Sequence, residues 1–257
     1  MILFLLRNLN FILRKSIIKN TINKFIYIVK YKKATNLNFN HFLYLKLFFI
    51  SEVIKKKHKN SNFEKKKNNY IFSEDWFSSN IPLWDYNIKK EFSKNSKLKY
   101  LEIGTFEGKS AIYICENFEN IEVTCVDPFD KYETIESLVK KQDMKKIYDT
   151  FQSNIKVFKN RITHYKISSN EFFKKSNELF DIIYIDGSHY YIDVENDFKN
   201  SLNCLNDGGI IIFDDFLWNY YKKIQENPIN GILPFLNKQK DLKIISASNQ
   251  LILKKIK

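Results

Sequence analysis

Leu101-Glu102-Ile103-Gly104-Thr105-Phe106-Glu107-Gly108-Lys109-Ser110 reads as the end of a strand, a tight glycine turn and the start of a helix. Gly104 lets the backbone turn sharply and come close to a ligand. Gly108 opens a helix, expected to run to about Phe118, whose first amides face that ligand. Glu102 sits directly before the turn, where it would repel a pyrophosphate but suits a cationic ligand, through polar contacts or water. Lys99–Ile103 is the expected first strand, and Ile121–Val126 the second. The second ends at Asp127, 23 residues beyond Gly104, where a carboxylate can accept hydrogen bonds from two ribose hydroxyls. The plainer alternative is that Gly104 and Gly108 serve close helix–strand packing and that Asp127 caps the next segment.

Outward from this turn the pattern repeats. Thr134–Phe158 reads as mostly helical, Arg161–Ile167 as a third strand and Ser169–Ser176 as a short helix. Phe180–Ile185 is a fourth strand and Tyr191–Leu205 a helix closed by Asn206-Asp207-Gly208-Gly209. Gly209–Phe213 is the fifth strand. Strands this apolar, alternating with helices, predict an α/β fold: a doubly wound, mostly parallel sheet covered on both faces. A helix is expected around Asn219–Asn237. Only a few residues then separate Leu242–Ser246 from Gln250–Leu253, too few for a parallel crossover, so these two strands form an antiparallel hairpin.

The net charge is +13, and its location is informative. Residues 1–70 carry 16 lysines and arginines against two acids, Glu52 and Glu64, whereas the remainder is one charge short of neutral on the acidic side. The chain therefore divides into a basic helical extension with a linker (1–70) and an α/β domain (71–257). The near-neutral domain argues against a nucleic-acid channel. Within residues 1–33, Leu5, Leu9, Ile12, Ile22, Phe25 and Val29 recur at helical spacing among Arg7, Arg14, Lys15, Lys19 and Lys24, without an uninterrupted run long enough to span a bilayer. His41–Ile54 is a second short helix, followed by the lysine-rich stretches Lys55–Lys59 and Glu64–Asn69, read as linker. Two readings of the extension stand side by side: a peripheral anchor on an anionic membrane, or a helical cap or oligomerisation arm with a solvated lysine face. Cys115, Cys125 and Cys204 are odd in number and lack a C-x-x-C spacing, which suits buried reduced thiols and a cytoplasmic setting, on the inner membrane face if the anchor reading holds.

A second set of polar residues falls on later strand ends. Strand four ends Ile185-Asp186-Gly187-Ser188-His189 and strand five ends Phe213-Asp214-Asp215-Phe216. C-terminal strand ends are where open α/β sheets bind ligands. Asp186, Asp214 and Asp215, brought together there, would repel unless protonated or neutralised, and a hard divalent cation such as Mg2+ is the simple remedy. His189, three residues beyond Asp186, is placed to take a hydroxyl proton. The alternative is that these acids cap loops and that His189 is a capping or surface histidine. Ser168 and Ser169 follow strand three. Phe72–Trp84 precedes the first strand, and its Trp76 and Trp84 either cover the ligand or pack the core. Asp193, Glu195 and Asp197 read as a solvated helix face, and His164 as a packing residue.

YLEIGTFEGKS, VDPF, FDIIYIDGSHYYIDVENDF and LNDGGIIIFDDF, in that order, resemble the class I S-adenosylmethionine-dependent methyltransferases. The nearest subgroup carries an I-D-G-x-H signature: macrocin-type O-methyltransferases, akin to the cephalosporin hydroxylase-like and catechol-type families. The resemblance covers about Lys97–Phe216 well and the closing helix and hairpin loosely, and it does not reach Met1–Asn69. It implies a Rossmann-like, seven-stranded, mostly parallel sheet with an antiparallel last strand. It also implies S-adenosylmethionine bound by Glu102, Gly104, Thr105, Phe106, Gly108, Ser110, Asp127 and Asp186, with Ser168 near the adenine. Asp186, Asp214 and Asp215 would bind the metal, His189 would be the base, and the acceptor would be a small hydroxylated molecule of the sugar or glycan kind. Two other functions compete: nucleic-acid methylation through the lysine-rich arm, and a non-catalytic cofactor-binding scaffold on a membrane surface. The residues after strand four do not form the N/D-P-P-[YF] motif common in base-amine methyltransferases. A nicotinamide oxidoreductase is disfavoured by Glu102, by the missing G-x-G-x-x-G and by the closing hairpin. The oligomeric state stays open.

Overall fold

The computed structural model describes residues 15–58, 69–130 and 143–256. A seven-stranded sheet in the order β3-β2-β1-β4-β5-β7-β6 forms the centre. Its strands are β1 (Leu98–Ile103), β2 (Ile121–Val126), β3 (Ile162–Tyr165), β4 (Phe180–Ile185), β5 (Leu205–Phe213), β6 (Leu242–Ala247) and β7 (Leu251–Lys255). The first five run parallel, and β7 enters antiparallel between β5 and β6. The seven strands and the reversed last one agree with the sequence.

The pleat sorts successive side chains to opposite faces. Tyr100, Val123, Cys125, Ile182, Tyr184, Ile210, Ile212 and Ile252 point to one face. There they meet α3 (Ile81–Glu91), α4 (Lys109–Asn117) and α5 (Met144–Ile155). Trp84 of α3 is fully buried in this layer, and its indole donates to Gln250 Oε1 at 2.8 Å. Leu101, Ile103, Ile183, Ile185, Ile211, Phe213, Leu251 and Leu253 point to the other face. That layer holds α6 (Ser169–Lys175), α7 (Tyr191–Asn203) and α8 (Pro228–Leu236).

The described part of the basic extension packs on the same second layer. Helices α1 (Lys15–Thr35) and α2 (His41–Lys57) form a hairpin, and Ile28, Tyr31, Tyr44 and Phe48 join the sheet's core. Asn40 caps α2, its side chain accepting from the Leu43 amide at 3.3 Å. The buried Glu52 accepts from Asn20 at 3.0 Å and pairs with Lys24, which neutralises it. Ser51 and Ser246 share a hydrogen bond of 3.1 Å, tying α2 to β6. Among the described residues no helix is long and apolar enough to cross a membrane. Met1–Arg14 and the greater part of the expected linker lie outside the described residues, as does Thr134–Gln142 of the expected helix.

Several boundaries differ from the sequence reading, each for a local reason. Lys55–Lys57 belong to α2 rather than to a linker. Asn206–Gly209 is not the turn after α7: α7 stops at Asn203 and β5 already starts at Leu205. Asn206 donates to Asp181 at 2.9 Å, and the register with β4 shifts between Phe180 and Ile182, so these residues are absorbed as a strand irregularity. The helix expected over Asn219–Asn237 reduces to α8 after a 3-10 turn at Ile224–Glu226. The buried Asn227 side chain accepts from the amides of Tyr220 (2.9 Å) and Tyr221 (3.1 Å) and donates to the carbonyls of Tyr221 and Lys223. That holds 220–227 as a loop, and Pro228, which needs no amide partner, starts the helix. Asp197 is 3% exposed rather than solvated, and burial pushes its carboxyl up to about 7.

Gly104 has φ +79°, and a Cβ there would lie 2.2 Å from the Asp186 carbonyl oxygen. Gly104→Ala is expected to lower stability by at least about 2 kcal/mol, from left-handed strain and overlap together. Urea unfolding of the variant checks this.

Candidate active site

Strand register builds the site. Ile103 pairs with Ile185, Ile185 with Phe213, and Phe213 with Leu251. One step further along the chain lie Gly104, Asp186 and Asp214, and Gln250 follows from the antiparallel partner. The backbone bonds continue past the strands: the Asp186 amide donates to Ile103 O at 2.8 Å and the Asp214 amide to Ile185 O at 2.9 Å. The glycine turn and the two acidic strand ends are therefore neighbours at one sheet edge.

The glycine turn is held from within by two carboxylates. Glu102 is fully buried and accepts from Tyr100 (2.5 Å), Thr105 Oγ1 (2.7 Å) and Ser110 Oγ (2.9 Å). Burial outweighs these three donors and pushes its carboxyl up to about 7. Asp127 Oδ2 accepts from the amides of Thr105 (2.9 Å) and Phe106 (3.2 Å), and Oδ1 from that of Phe129 (2.8 Å). Burial raises the Asp127 carboxyl and the backbone donors oppose the rise. Phe106 has φ +47°, so these amides converge on one oxygen through a strained turn. Gly108, at φ +81°, lies against Phe151, which would be 3.0 Å from an added Cβ.

The segment before α3 straps down this turn. Asn154 exchanges two hydrogen bonds with the backbone of Ile71 (2.9 and 2.7 Å) and donates to Glu107 O at 3.0 Å. The Ser73 amide donates to Glu107 at 2.6 Å, Lys109 pairs with Asp75 at 2.5 Å, and Trp76 lies against Phe106 with ring centroids 4.9 Å apart. The two tryptophans thus divide: Trp84 packs the core, and Trp76, 59% exposed, flanks the turn. Ser168 is exposed and caps α6 by accepting from the Glu171 amide at 3.2 Å.

At the acidic strand ends the three aspartates take different roles. Tyr184 donates toward both Asp186 (2.9 Å) and Asp214. Asp214 Oδ2 also accepts from Gln250 (2.9 Å) and Asn80 (3.4 Å), and its Oδ1 accepts from the Asp215 amide at 2.8 Å. Asp214 is thereby turned into the protein. Asp215, at φ +47°, swings its side chain the other way, and its Oδ2 lies 2.6 Å from His189 Nε2. The ligand atoms of Asp186, His189 and Asp215 lie within 4.8 Å of one another. Burial, then the charges of Asp214 and Asp215, hold the Asp186 carboxyl well above the usual carboxylate range. Burial and Asp215 raise that of Asp214. His189 is backed by Trp218 at 4.8 Å between ring centroids, and Ser188 donates to Asp193 at 2.7 Å, fixing the loop that carries the histidine.

The structure therefore brings Glu102, Gly104, Thr105, Phe106, Ser110 and Asp127 together at the turn, and Asp186, Asp214, Asp215 and His189 beside it. Of the three predicted metal residues it converges Asp186 and Asp215, with His189 as the third donor. The sequence reading gave no site role to Tyr184, Gln250, Asn80 or Trp218. It also took Lys55 for linker. Its ammonium donates to Asn80 Oδ1 at 3.4 Å, and burial, then Lys24, lowers it to about 8.

Residues 101–216 match the family described as a methyltransferase domain. Residues 101–216 carry a methyltransferase domain. An uncharacterized protein of Acanthamoeba polyphaga mimivirus is 34% identical over 134 residues, a match spanning 51% of this chain and 56% of that relative's length. An O-methyltransferase from Bacillus cereus solved with SAH superposes at TM-score 0.55, with 14% identity, covering 81% of this chain and 97% of that one. The MycE methyltransferase of the mycinamycin biosynthetic pathway, solved with Mg, SAH and mycinamycin VI, superposes at TM-score 0.56 with 14% identity, covering 81% of this chain and 56% of that one. Both likenesses establish the fold.

The raised Glu102 carboxyl gives a pH signature. Its folded value, about 7, lies above its ordinary 4.5, so the folded state holds the extra proton between them. Stability is expected to fall as pH rises through that window. Glu102→Gln keeps the hydrogen-bonding shape and should flatten the fall relative to the parent protein. Urea midpoints measured from pH 4.5 to 8 test it.

Proposed function

We propose that the protein transfers the methyl group of S-adenosylmethionine to a hydroxyl of a small hydroxylated acceptor of the sugar or glycan kind, with a divalent cation such as Mg2+ at Asp186 and Asp215 and with His189 beside it as the base. The observation that carries this reading is the convergence of those three donor atoms beside the glycine turn. The two carboxylates fit a hard cation: both are partly exposed, beside the imidazole, at a place where burial and mutual repulsion otherwise favour a protonated acid. A bound cation would supply Lewis acidity, lowering the pKa of a coordinated hydroxyl. S-adenosylmethionine would supply the methyl as a sulfonium, whose S–C bond breaks as the acceptor's O–C bond forms.

The protein's own residues do the rest. Glu102 and Asp127 hold the turn at Thr105 and Phe106 in one shape, so a cofactor laid across it meets a preset backbone. If His189 Nε2–H donates to Asp215, Nδ1 is the nitrogen left to accept the hydroxyl proton. Tyr184 and Gln250 keep Asp214 turned inward, which leaves Asp186 and Asp215 to face the acceptor.

Calorimetric titration of S-adenosylmethionine into the protein, with Mg2+ and then with EDTA, is the direct test, followed by methyl transfer to hydroxylated acceptors. Cofactor binding is expected under both conditions and turnover only with Mg2+; undiminished turnover in EDTA would remove the metal from the reading. His189→Ala is expected to lower kcat by about 10²-fold or more while leaving the cofactor's Kd unchanged. A loss confined to Kd would instead make the histidine part of the binding surface.

A further inference from the structure

The outer face of α1 is unusual for a helix docked on a domain. Its inner face, with Ile17, Thr21, Ile28 and Tyr31, is buried. On the outer side Ile18, Ile22 and Ile26 repeat every four residues and are 41%, 48% and 45% exposed. They form one apolar stripe where a solvated helix would carry polar residues. Phe42, at the start of α2, is 63% exposed and extends the patch through its ring contact with Phe25. Lysines border the stripe. Lys15 and Lys19 line a shallow groove with Ile18, Ile22 and Asn23, and the exposed Lys30 and Lys33 follow Ile26 at helical spacing. Residues 15–58 hold ten lysines and a single acid, Glu52, which is buried against Lys24 and Asn20. No carboxylate in these two helices therefore offsets the positive rim.

We infer that this face seats the protein on an anionic lipid surface, with Ile18, Ile22, Ile26 and Phe42 entering the headgroup–acyl boundary and Lys15, Lys19, Lys30 and Lys33 meeting the lipid phosphates. Charge decides among occupants. A second copy docked through the same stripe would set lysine against lysine, a like-charge arrangement that opposes association. A polynucleotide would use the lysines and leave the isoleucine row without a partner. Only an anionic bilayer offers negative charge above an apolar interior. The opposite side of α1 supports the loop that carries Trp218: Tyr27 donates to Trp218 O at 3.5 Å, Tyr31 to Asn230 at 2.7 Å, and Gln225 reaches Ala34 O at 3.2 Å. The proposed lipid face and the loop flanking His189 are thus the two sides of one helix.

The test is flotation of the full chain with phosphatidylcholine vesicles and with vesicles in which about a third of the lipid is phosphatidylglycerol, at low and high salt. Binding is expected on the anionic vesicles only, weakening with salt, and falling about fivefold for each of Lys15, Lys19, Lys30 and Lys33 changed to Ala. Ile22→Glu with Ile26→Glu should abolish it while leaving thermal unfolding and S-adenosylmethionine binding as in the parent; these positions are exposed, so a folding defect would show in both controls. If the double variant fails to fold, Lys19→Ala with Lys30→Ala carries the same test. Equal binding to neutral vesicles would overturn the proposal. So would polynucleotide binding indifferent to Ile22→Glu, or self-association by sedimentation that the double variant dissolves without any vesicle binding.

Discussion

The in-register ladder through β1, β4, β5 and β7 is the constraint on which the site depends. Because the pleat repeats every two residues, Glu102 and Tyr184 share a face, and Asp186 and Asp214 follow Tyr184 and Ile212 in phase. A one-residue slip of any of these strands would exchange the buried polar set for Ile103, Ile185 or Phe213. The apolar residues filling both layers hold this phase. The buried Tyr100, Trp84 and Tyr184 on one side, and Phe198, Phe213 and Phe216 on the other, leave no alternative register with an apolar interior.

Placing so many carboxylates at one edge creates an electrostatic cost, and the fold meets it unevenly. Glu102 and Asp127 are spent on the turn, each taking three donors. Asp214 is satisfied from the far side of the sheet by Gln250 and Asn80, with Tyr184 shared between it and Asp186. Asp186 and Asp215 are left outward with His189. This partition makes a two-carboxylate, one-imidazole opening rather than a three-carboxylate one. Lys55 of the N-terminal hairpin reaches the inner side through Asn80 and interacts with the Asp214 charge, so the basic extension contributes to the charge balance beneath the site.

Much of the methyltransferase frame was legible because its signals are local. Gly104 marks a turn that only a residue without Cβ can make beside Asp186. The apolar runs of β1, β2 and β4 cannot be exposed, and the few residues between β6 and β7 allow only a hairpin. Element ends were less legible. Asn206–Gly209 has turn chemistry yet is carried within β5, as an irregularity between the Leu205 and Ile210 pairings with β4. The loop at 220–227 has helical composition, and the buried side chain of Asn227 overrides it.

The sequence by itself determined the order of strands and helices, the glycine turn, the acids at the ends of β2, β4 and β5, and the concentration of positive charge in the first 70 residues. These are properties of neighbouring residues and of spacing. Tertiary structure alone decided that Asp214 turns inward while Asp186 and Asp215 gather with His189, that Trp84 packs inward while Trp76 flanks Phe106, that Gln250 and Asn80 reach Asp214, and that α1 buries one face and leaves its isoleucine row outside. Those outcomes depend on distant partners, 134 residues away for Asn80 and 36 for Gln250, or on which side of a helix meets the sheet. Spacing along one segment carries no record of them.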